Sequence, residues 1–211
     1  RMVDLVFAHK GTLDKFVGDM VMALFGAPLD DSAHADHAVA CALDMVDELG
    51  RLNARWKAEG RAELDIGIGI NTGPMIAGNI GSEAIMSYTV IGDAVNLAAR
   101  LESLNKEHGT RILISEATRA ALTTSVETRL IGEVKVKGKS KAVVVHQVLE
   151  IENNDVGPGA GCCCQFCVVM SRDDQPGSSY SIDHKSSFVR AAETPAIREG
   201  DAPECKRCVR H

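Results

Sequence analysis

A turn signal near the start of the chain constrains its fold more than any other single feature. The pair Gly18-Asp19 separates residues 12–17 from residues 20–25, and the second of these segments is almost wholly apolar. Gly and Asp are typical turn residues, because Gly tolerates a positive φ and the Asp side chain can satisfy nearby backbone groups. The pattern therefore predicts two short strands, with Asp19 presented at the turn between them.

Apolar periodicity predicts further helices and strands as far as residue 149. A long helix is expected over 32–57, where apolar residues recur at three- and four-residue steps and Ser32 can cap the start. Another helix is expected to begin at Gly92-Asp93 and to end near Leu104. Shorter elements are expected as follows: a helix at 1–9, strands at 64–70, 75–80, 86–91 and 111–115, a helix at 116–122, and strands at 128–134 and 142–149. This order, with its many hairpins, predicts an α+β sandwich of the ferredoxin-like kind rather than a purely parallel sheet.

Charge and hydropathy exclude some classes of partner. The chain has 29 acidic and 23 basic residues and a net charge of −6. Such a chain is not suited to neutralising a phosphate polymer, so we do not expect a nucleic acid polymer as a partner. No apolar run approaches the roughly 18–20 residues that span a bilayer, and no signal-peptide pattern opens the chain. We therefore expect a cytoplasmic chain without membrane contact of its own, which is compatible with a parent protein anchored through segments outside it.

The last part of the chain differs in composition from the rest. Residues 152–211 contain clusters of Gly, Ser, Asp, Pro and Arg without a sustained period, which predicts a disordered tail. Cys164-x-x-Cys167 and Cys205-x-x-Cys208 have the spacing of structural zinc sites, but the roughly 37 residues between the pairs are more than usual. A zinc site and an out-of-frame end of a gene fragment both stay open as explanations.

Four motifs in order resemble the catalytic domain of the class III nucleotidyl cyclases, the adenylate and guanylate cyclase family. They occupy residues 11–19, 67–73, 88–102 and 136–140. The resemblance covers residues 1–151 and implies the ferredoxin-like α/β sandwich of that family. It also implies a head-to-tail homodimer with ATP or GTP in clefts that both protomers line, and conversion of ATP to 3′,5′-cyclic AMP and pyrophosphate for intracellular signalling.

The same resemblance implies that Lys15 and Thr89 contact the purine base. An ammonium group can donate to N1 of adenine, while a hydroxyl can accept from its N6 amine. Guanine has a donor at N1, so Lys15 would face it with a poor pairing that costs about 1–3 kcal/mol. Because Thr89 can also rotate to donate, ATP is the expected substrate without strict exclusion of GTP.

Residues of the third and fourth motifs are expected to act on the ribose and the phosphates. Asn96 and Arg100 lie four positions apart on the predicted helix and therefore share a face. By resemblance, Asn96 orients the ribose and Arg100 neutralises charge that develops on the α-phosphate as the 3′-OH attacks. Lys137 matches a residue that holds the terminal phosphates, although Lys135 and Lys139 are close enough to compete for that role.

Asp19 is expected to bind a metal ion, because a carboxylate at a tight turn suits Mg²⁺ or Mn²⁺. The resemblance implies two ions in an intact site, held by two Asp residues, of which the first lies on a strand upstream of Arg1. We therefore expect this chain to lack that Asp, the first strand at the centre of the sheet and part of the first helices. We expect the chain alone to be inactive or nearly so, and its full-length parent to cyclise ATP. The alternative is a catalytically silent cyclase-homology module with a regulatory or dimerisation role.

Overall fold

Two sheets and their covering helices make up the part of the chain that the structure describes. The structure is a computed structural model, and it describes residues 1–82, 86–134 and 142–149, together with the backbone of 162–171. All of these residues belong to the first of two contact units, Arg1–Arg172, and the second unit, Asp173–His211, lies outside the described residues.

As far as residue 149 the elements follow the order that the sequence predicted, with boundaries that differ by a few residues. They are α1 (Met2–Ala8), β1 (Thr12–Val17), β2 (Met20–Phe25), α2 (His34–Ala58), β3 (Leu64–Gly73), β4 (Ile76–Gly81), β5 (Met86–Ile91), α3 (Asp93–His108), β6 (Ile112–Ser115), α4 (Glu116–Ala121), β7 (Thr128–Val134), β8 (Val143–Val148) and β9 (Cys162–Ser171). The predicted α+β fold class is confirmed.

The larger sheet is mixed and has the order β1-β2-β9-β3-β6-β8-β7, while β4 and β5 form a separate antiparallel pair. The β1–β2, β6–β8 and β7–β8 pairs are antiparallel, and β9 runs parallel to both β2 and β3. Strand β6 is also parallel to β3. The edge formed by β1 and β2 therefore lies on the opposite side of the sheet from the edge formed by β7 and β8.

Helix α2 covers one face of the large sheet. Its buried side chains recur at three- and four-residue steps and pack on alternate residues of β2, β3 and β6, as expected for an amphipathic helix on a pleated surface. The buried members of this cluster include Ala23, Phe25, Ala38, Cys41, Met45, Leu49, Ile66, Ile68, Ile70, Ile112 and Ile114. Each large side chain buried here contributes about 1.5–3 kcal/mol relative to exposure.

Helix α3 packs on the other face of the sheet, where β3 presents glycines. A Cβ atom at Gly69 would lie 2.2 Å from the backbone nitrogen of Glu102 and 2.3 Å from the carbonyl oxygen of Ala98. The two backbones are thus in direct contact, which only Gly permits. Asn71 Nδ2 donates to the carbonyl of Ala94 at 2.9 Å and fixes the start of the helix. The helix that carries the third motif therefore has a fixed position over the sheet.

The structure differs from our expectation for the tail at Cys162–Ser171. We expected no regular structure there, but this segment forms β9 between β2 and β3, at the sheet centre where the resemblance implied a missing strand. The segment is rich in Cys, Val and Phe, which suits a strand, and its backbone pairs the inner edges of β2 and β3. The proposed division of the chain at 151/152 stays a prediction.

Two further observations concern α2 and the hydropathy of the helices. Ser32 does not cap α2: the helix begins at His34 after Ala33, and Asp31 Oδ1 accepts a hydrogen bond from the Ala33 nitrogen at 3.1 Å. This bond lies in the turn before the helix, and no side chain caps the first turn of α2. Among the helices within the described ranges, none has the length and hydropathy to cross a membrane.

Candidate functional site

A β-bulge at Asp14 shapes the first part of the site. In the β1–β2 ladder Leu13 pairs with Ala23 and Lys15 with Met22, which leaves Asp14 as an additional residue without a partner in β2. A bulge redirects side chains relative to the normal alternation of a strand. Here the Asp14 side chain is 1% exposed, whereas that of Lys15 is 44% exposed. The bulge therefore buries a carboxyl group directly beside an accessible ammonium group.

Strand β5 brings Thr89 to the same carboxyl group. Thr89 Oγ1 donates a hydrogen bond to Asp14 Oδ2 at 3.0 Å, and Lys15 Nζ lies 3.7 Å from that same oxygen. Asp14 Oδ1 is buried and has no hydrogen-bond partner in the described part of the chain. The structure thus brings the two residues that the sequence assigned to base recognition together around one carboxyl oxygen. We call Asp14, Lys15 and Thr89 the base-reading corner, after the role that the resemblance implies for Lys15 and Thr89.

Asp14 was missed in the sequence analysis. Its neighbour Lys15 was assigned by resemblance, and strict alternation along a strand places adjacent side chains on opposite faces. Only the bulge, which is not apparent from the apolar pattern, brings both side chains to Thr89. A carboxyl residue directly before the base-reading Lys was the one available signal.

Asp19 lies at the β1–β2 turn. Gly18 has φ +65°, which L side chains rarely adopt, so the turn depends on Gly at this position. Asp19 is exposed, while Glu102 on α3 is buried. Burial raises the pKa of Glu102, the negative charge of Asp19 adds to that rise, and a hydrogen bond from Ser103 opposes it. The turn carboxylate is therefore close enough to α3 for its charge to act on a residue of that helix.

Asn96 and Arg100 project from α3 away from its packed face. Asn96 is exposed and Arg100 is half-buried, whereas Leu97, Ala98 and Leu101 are buried against the sheet. Neither polar side chain forms a hydrogen bond or an ion pair with other residues of the described ranges. Both groups are consequently available to a ligand or to a partner molecule.

Several sequence-predicted residues lie outside the described residues. Lys137, its competitors Lys135 and Lys139, and the whole motif at 136–140 belong to this group. Of the predicted zinc ligands, Cys205 and Cys208 are also outside, and Cys164 and Cys167 are described only as backbone of β9. The roles assigned to these residues stay predictions.

Asp19 is the exposed carboxylate that the sequence assigned to a metal ion. Across the described ranges, no group of three or more His, Cys, Asp or Glu side chains is arranged to hold an ion. Mg²⁺ commonly binds through one or two carboxylates together with substrate phosphates and water. Asp19, exposed at the turn, therefore fits as one protein ligand of an ion that binds together with a nucleoside triphosphate.

Comparison with known families identifies the domain. Residues 1–150 match the model of the adenylate and guanylate cyclase catalytic domain. The chain belongs to this family, as its motifs predicted.

Relatives and solved structures agree with this membership. Adenylate cyclase 1 of Rhizobium meliloti is 39% identical over 148 residues, which are 70% of this chain and 22% of that protein. The chain thus spans about a fifth of the length of that relative. The crystal structure of the guanylyl cyclase Cya2 is similar with a TM-score of 0.61 and 35% identity, over 72% of this chain and 76% of that one. The adenylyl cyclase CyaB from P. aeruginosa gives a TM-score of 0.58 and 31% identity, over 74% of this chain and 80% of that one.

Proposed function

We propose that this domain cyclises ATP to 3′,5′-cyclic AMP and pyrophosphate for intracellular signalling. The observation that carries the proposal is the meeting of Lys15 and Thr89 at Asp14 Oδ2, with distances of 3.7 and 3.0 Å. Adenylyl and guanylyl cyclases share this fold at comparable TM-scores, so the fold does not determine the base. The choice between adenine and guanine therefore depends on side chains such as these two.

In the proposed site, Lys15 donates to N1 of adenine and Thr89 pairs with the N6 amine. Lys15 is 44% exposed, so its side chain is accessible to a ligand in the conformation that places Nζ 3.7 Å from Asp14 Oδ2. Guanine has a hydrogen on N1 and a carbonyl at position 6, and each leaves a donor or acceptor of this pair without its complement.

Arg100 and Asn96 act on the reacting part of the nucleotide. The 3′-OH of the ribose attacks the α-phosphorus and releases its proton to water, while the bond from the α-phosphorus to the bridging oxygen breaks and pyrophosphate leaves. The planar guanidinium of Arg100 offers donors that match phosphate oxygens and offsets the charge that develops on them. Asn96, one helical turn away on the same face, holds the ribose so that its 3′-OH points at phosphorus. Lys137 holds the terminal phosphates in this proposal.

Asp19 is the protein ligand that we assign to Mg²⁺ or Mn²⁺, with two ions in an intact site. When bound, such ions polarise the phosphate oxygens and offset their charge. In the head-to-tail homodimer that we propose, Asp19 and Lys15 of one protomer serve opposite clefts, so each cleft takes the metal carboxylate from one protomer and the base-reading corner from the other.

The proposal is tested by product formation and by nucleotide binding, measured separately. Cyclic AMP and pyrophosphate are quantified after incubation of the protein that carries this domain with ATP and Mn²⁺. We expect Arg100→Ala and Asn96→Ala to lose product formation and to retain ATP binding. Lys106→Ala, an exposed substitution near the end of the same helix, is the matched control and should leave both unchanged.

The same experiment distinguishes the alternative function. If ATP binds and Lys15→Ala weakens that binding, but no cyclic AMP forms under any condition, the domain is the catalytically silent cyclase-homology module. If neither ATP nor GTP binds, the proposed cyclase function is wrong, and the alternative is reduced to its dimerisation role.

A further inference from the structure

The hydrogen bond between Thr89 and Asp14 has a consequence for base selection. A Thr hydroxyl carries one proton, and Thr89 donates that proton to Asp14 Oδ2 at 3.0 Å. An ionised carboxyl group has acceptors alone and cannot donate in return. With its proton engaged, Thr89 Oγ1 can offer a ligand nothing but lone pairs. A hydroxyl that is free to rotate would not make this distinction.

We propose that Asp14 is a specificity-determining residue, which holds the Thr89 hydroxyl as an acceptor and so favours the N6 amine of adenine over the O6 carbonyl of guanine. This inference rests on the proposed function and concerns the choice of substrate within it. Asp14 acts through Thr89 and is therefore a positioning residue, not a catalytic one.

Three features of the structure support this role. The bulge in β1 is what directs Asp14 at Thr89, since a regular ladder would place Asp14 and Lys15 on opposite faces. The Asp14 side chain is 1% exposed, so water does not compete for its oxygen. Lys15 Nζ, 3.7 Å from the same oxygen, supplies a positive charge that complements the carboxylate. The carboxyl group thus links both base-reading residues and constrains the donor–acceptor pattern of one of them.

The test compares dissociation constants for 3′-deoxy-ATP and 3′-deoxy-GTP, measured by calorimetry with Mn²⁺. These analogues lack the attacking hydroxyl and are not cyclised, so binding is separated from chemistry. In Asp14→Asn the amide can donate to Thr89, whose proton is then free for guanine O6. We expect the preference for the adenine analogue to fall about tenfold in this variant, because an unmatched buried group is replaced by a matched one.

Thr89→Val and the double variant show whether Asp14 acts through Thr89. If it does, Asp14→Asn changes the ratio of the two dissociation constants by less than about twofold when Val occupies position 89. Asp47→Asn, an exposed substitution on α2, is the control for the change in charge.

The other possible outcomes contradict the inference. If Asp14→Asn weakens both analogues equally, or changes the ratio equally with Thr or Val at position 89, Asp14 has a structural role and the inference is wrong. If the unaltered chain binds the adenine analogue no more tightly than the guanine analogue, the proposed choice of ATP fails first, and this inference fails with it.

Discussion

Two regions of the molecule treat their polar side chains in opposite ways. Near the start of α2, the carboxylate of Asp36 accepts hydrogen bonds from the backbone nitrogens and hydroxyls of Thr123 and Thr124 at 2.6–3.2 Å. On α3, by contrast, Asn96 and Arg100 have no partner in the described part of the chain. Groups paired inside the chain hold the fold, whereas groups left unpaired at the surface are available for ligands. The comparison predicts that variants in the first region change stability and that variants in the second change activity.

The largest effect on stability is expected at Gly69 in β3, because β3 packs against both α2 and α3. Gly69→Ala places a Cβ within 2.3 Å of two backbone atoms of α3, and neither can move without displacing the helix. We expect a loss of more than about 3 kcal/mol in the free energy of unfolding, because overpacking against a backbone has no cheap relaxation. Urea denaturation followed by circular dichroism measures this change.

Gly50→Ala is the control for that substitution. Gly50 lies on α2, and no atom lies within 4 Å of the position that its Cβ would take. Ala favours a helix by up to ~1 kcal/mol over Gly, so this variant should be slightly more stable. Equal destabilisation by the two substitutions would contradict the close packing of α3 on β3.

Arg100→Ala should separate activity from stability. In the full-length parent protein we expect cyclic AMP formation to fall by about 10²–10³-fold, as when one group that stabilises transition-state charge is removed. The free energy of unfolding should change by less than about 0.5 kcal/mol, because no hydrogen bond or ion pair within the described residues is lost. Initial rates and urea denaturation are measured on the same preparations, with Lys106→Ala as control. A loss of stability that accounts for the loss of activity would remove the distinction between the two regions.

Asp36→Asn should affect stability in a pH-dependent way. Partial burial would raise the pKa of Asp36, but hydrogen bonds from Thr123 and Thr124 outweigh it and lower the pKa from 3.8 to about 2. A folded-state pKa below the unfolded value stabilises the protein above about pH 4, and this contribution is lost as the pH falls towards 2. At pH 7 we expect the variant to be less stable by about 1–2 kcal/mol once solvent screening is allowed for.

The measurement for Asp36 is urea denaturation at several pH values between 7 and 3. The difference between Asp36→Asn and the unaltered protein should shrink as the pH is lowered, while Asp47→Asn on the same helix should show no such trend. Nucleotide binding should be the same in both variants. A difference that is constant with pH would show that the carboxylate charge is not what the two Thr residues stabilise.

The smallest effect is expected for Glu116→Gln. A hydrogen bond from Arg119, opposed by slight burial and assisted by His146, lowers the pKa of Glu116 to about 2. The side chain is 42% exposed, and exposed ion pairs contribute little to stability. We expect the midpoint of thermal unfolding to fall by no more than about 3 °C, with unchanged activity. Differential scanning fluorimetry measures this midpoint. A larger fall would mean that the ion pair contributes substantially to the stability of the fold.

The sequence could predict most elements because their apolar periods are long and unambiguous. The strand expected at 128–134 is observed as Thr128–Val134, and the helix expected at 32–57 is observed as His34–Ala58. The start of that helix could not be predicted, since Ser32 has capping chemistry but the helix begins at His34 without a side-chain cap. Strand β9 could not be predicted either, because its pairing joins Val21 to Phe166 and depends on contacts distant in sequence.

The candidate site could be predicted only in part, from its sequence motifs. Motifs gave Lys15, Thr89, Asn96 and Arg100, and the structure brings the first two of these together at one carboxyl group. Asp14 could not be predicted, because a bulge is a mismatch between two strands and has no period of its own in either sequence. The hydrogen bonds from Thr123 and Thr124 to Asp36 could not be predicted either, because they join residues far apart in the chain.

The bulge also determines what would be needed to transplant the base specificity that we propose. A designer who grafted Lys15 and Thr89 onto a regular hairpin of another scaffold would obtain two residues of the right type without their common carboxylate. Since side chains alternate with a period of two, one residue fewer in β1 would turn the acidic group to the far side of the strand. The unit to transfer is therefore the β1–β2 hairpin together with its additional residue, Asp14. The bulge is needed as much as the side chains are.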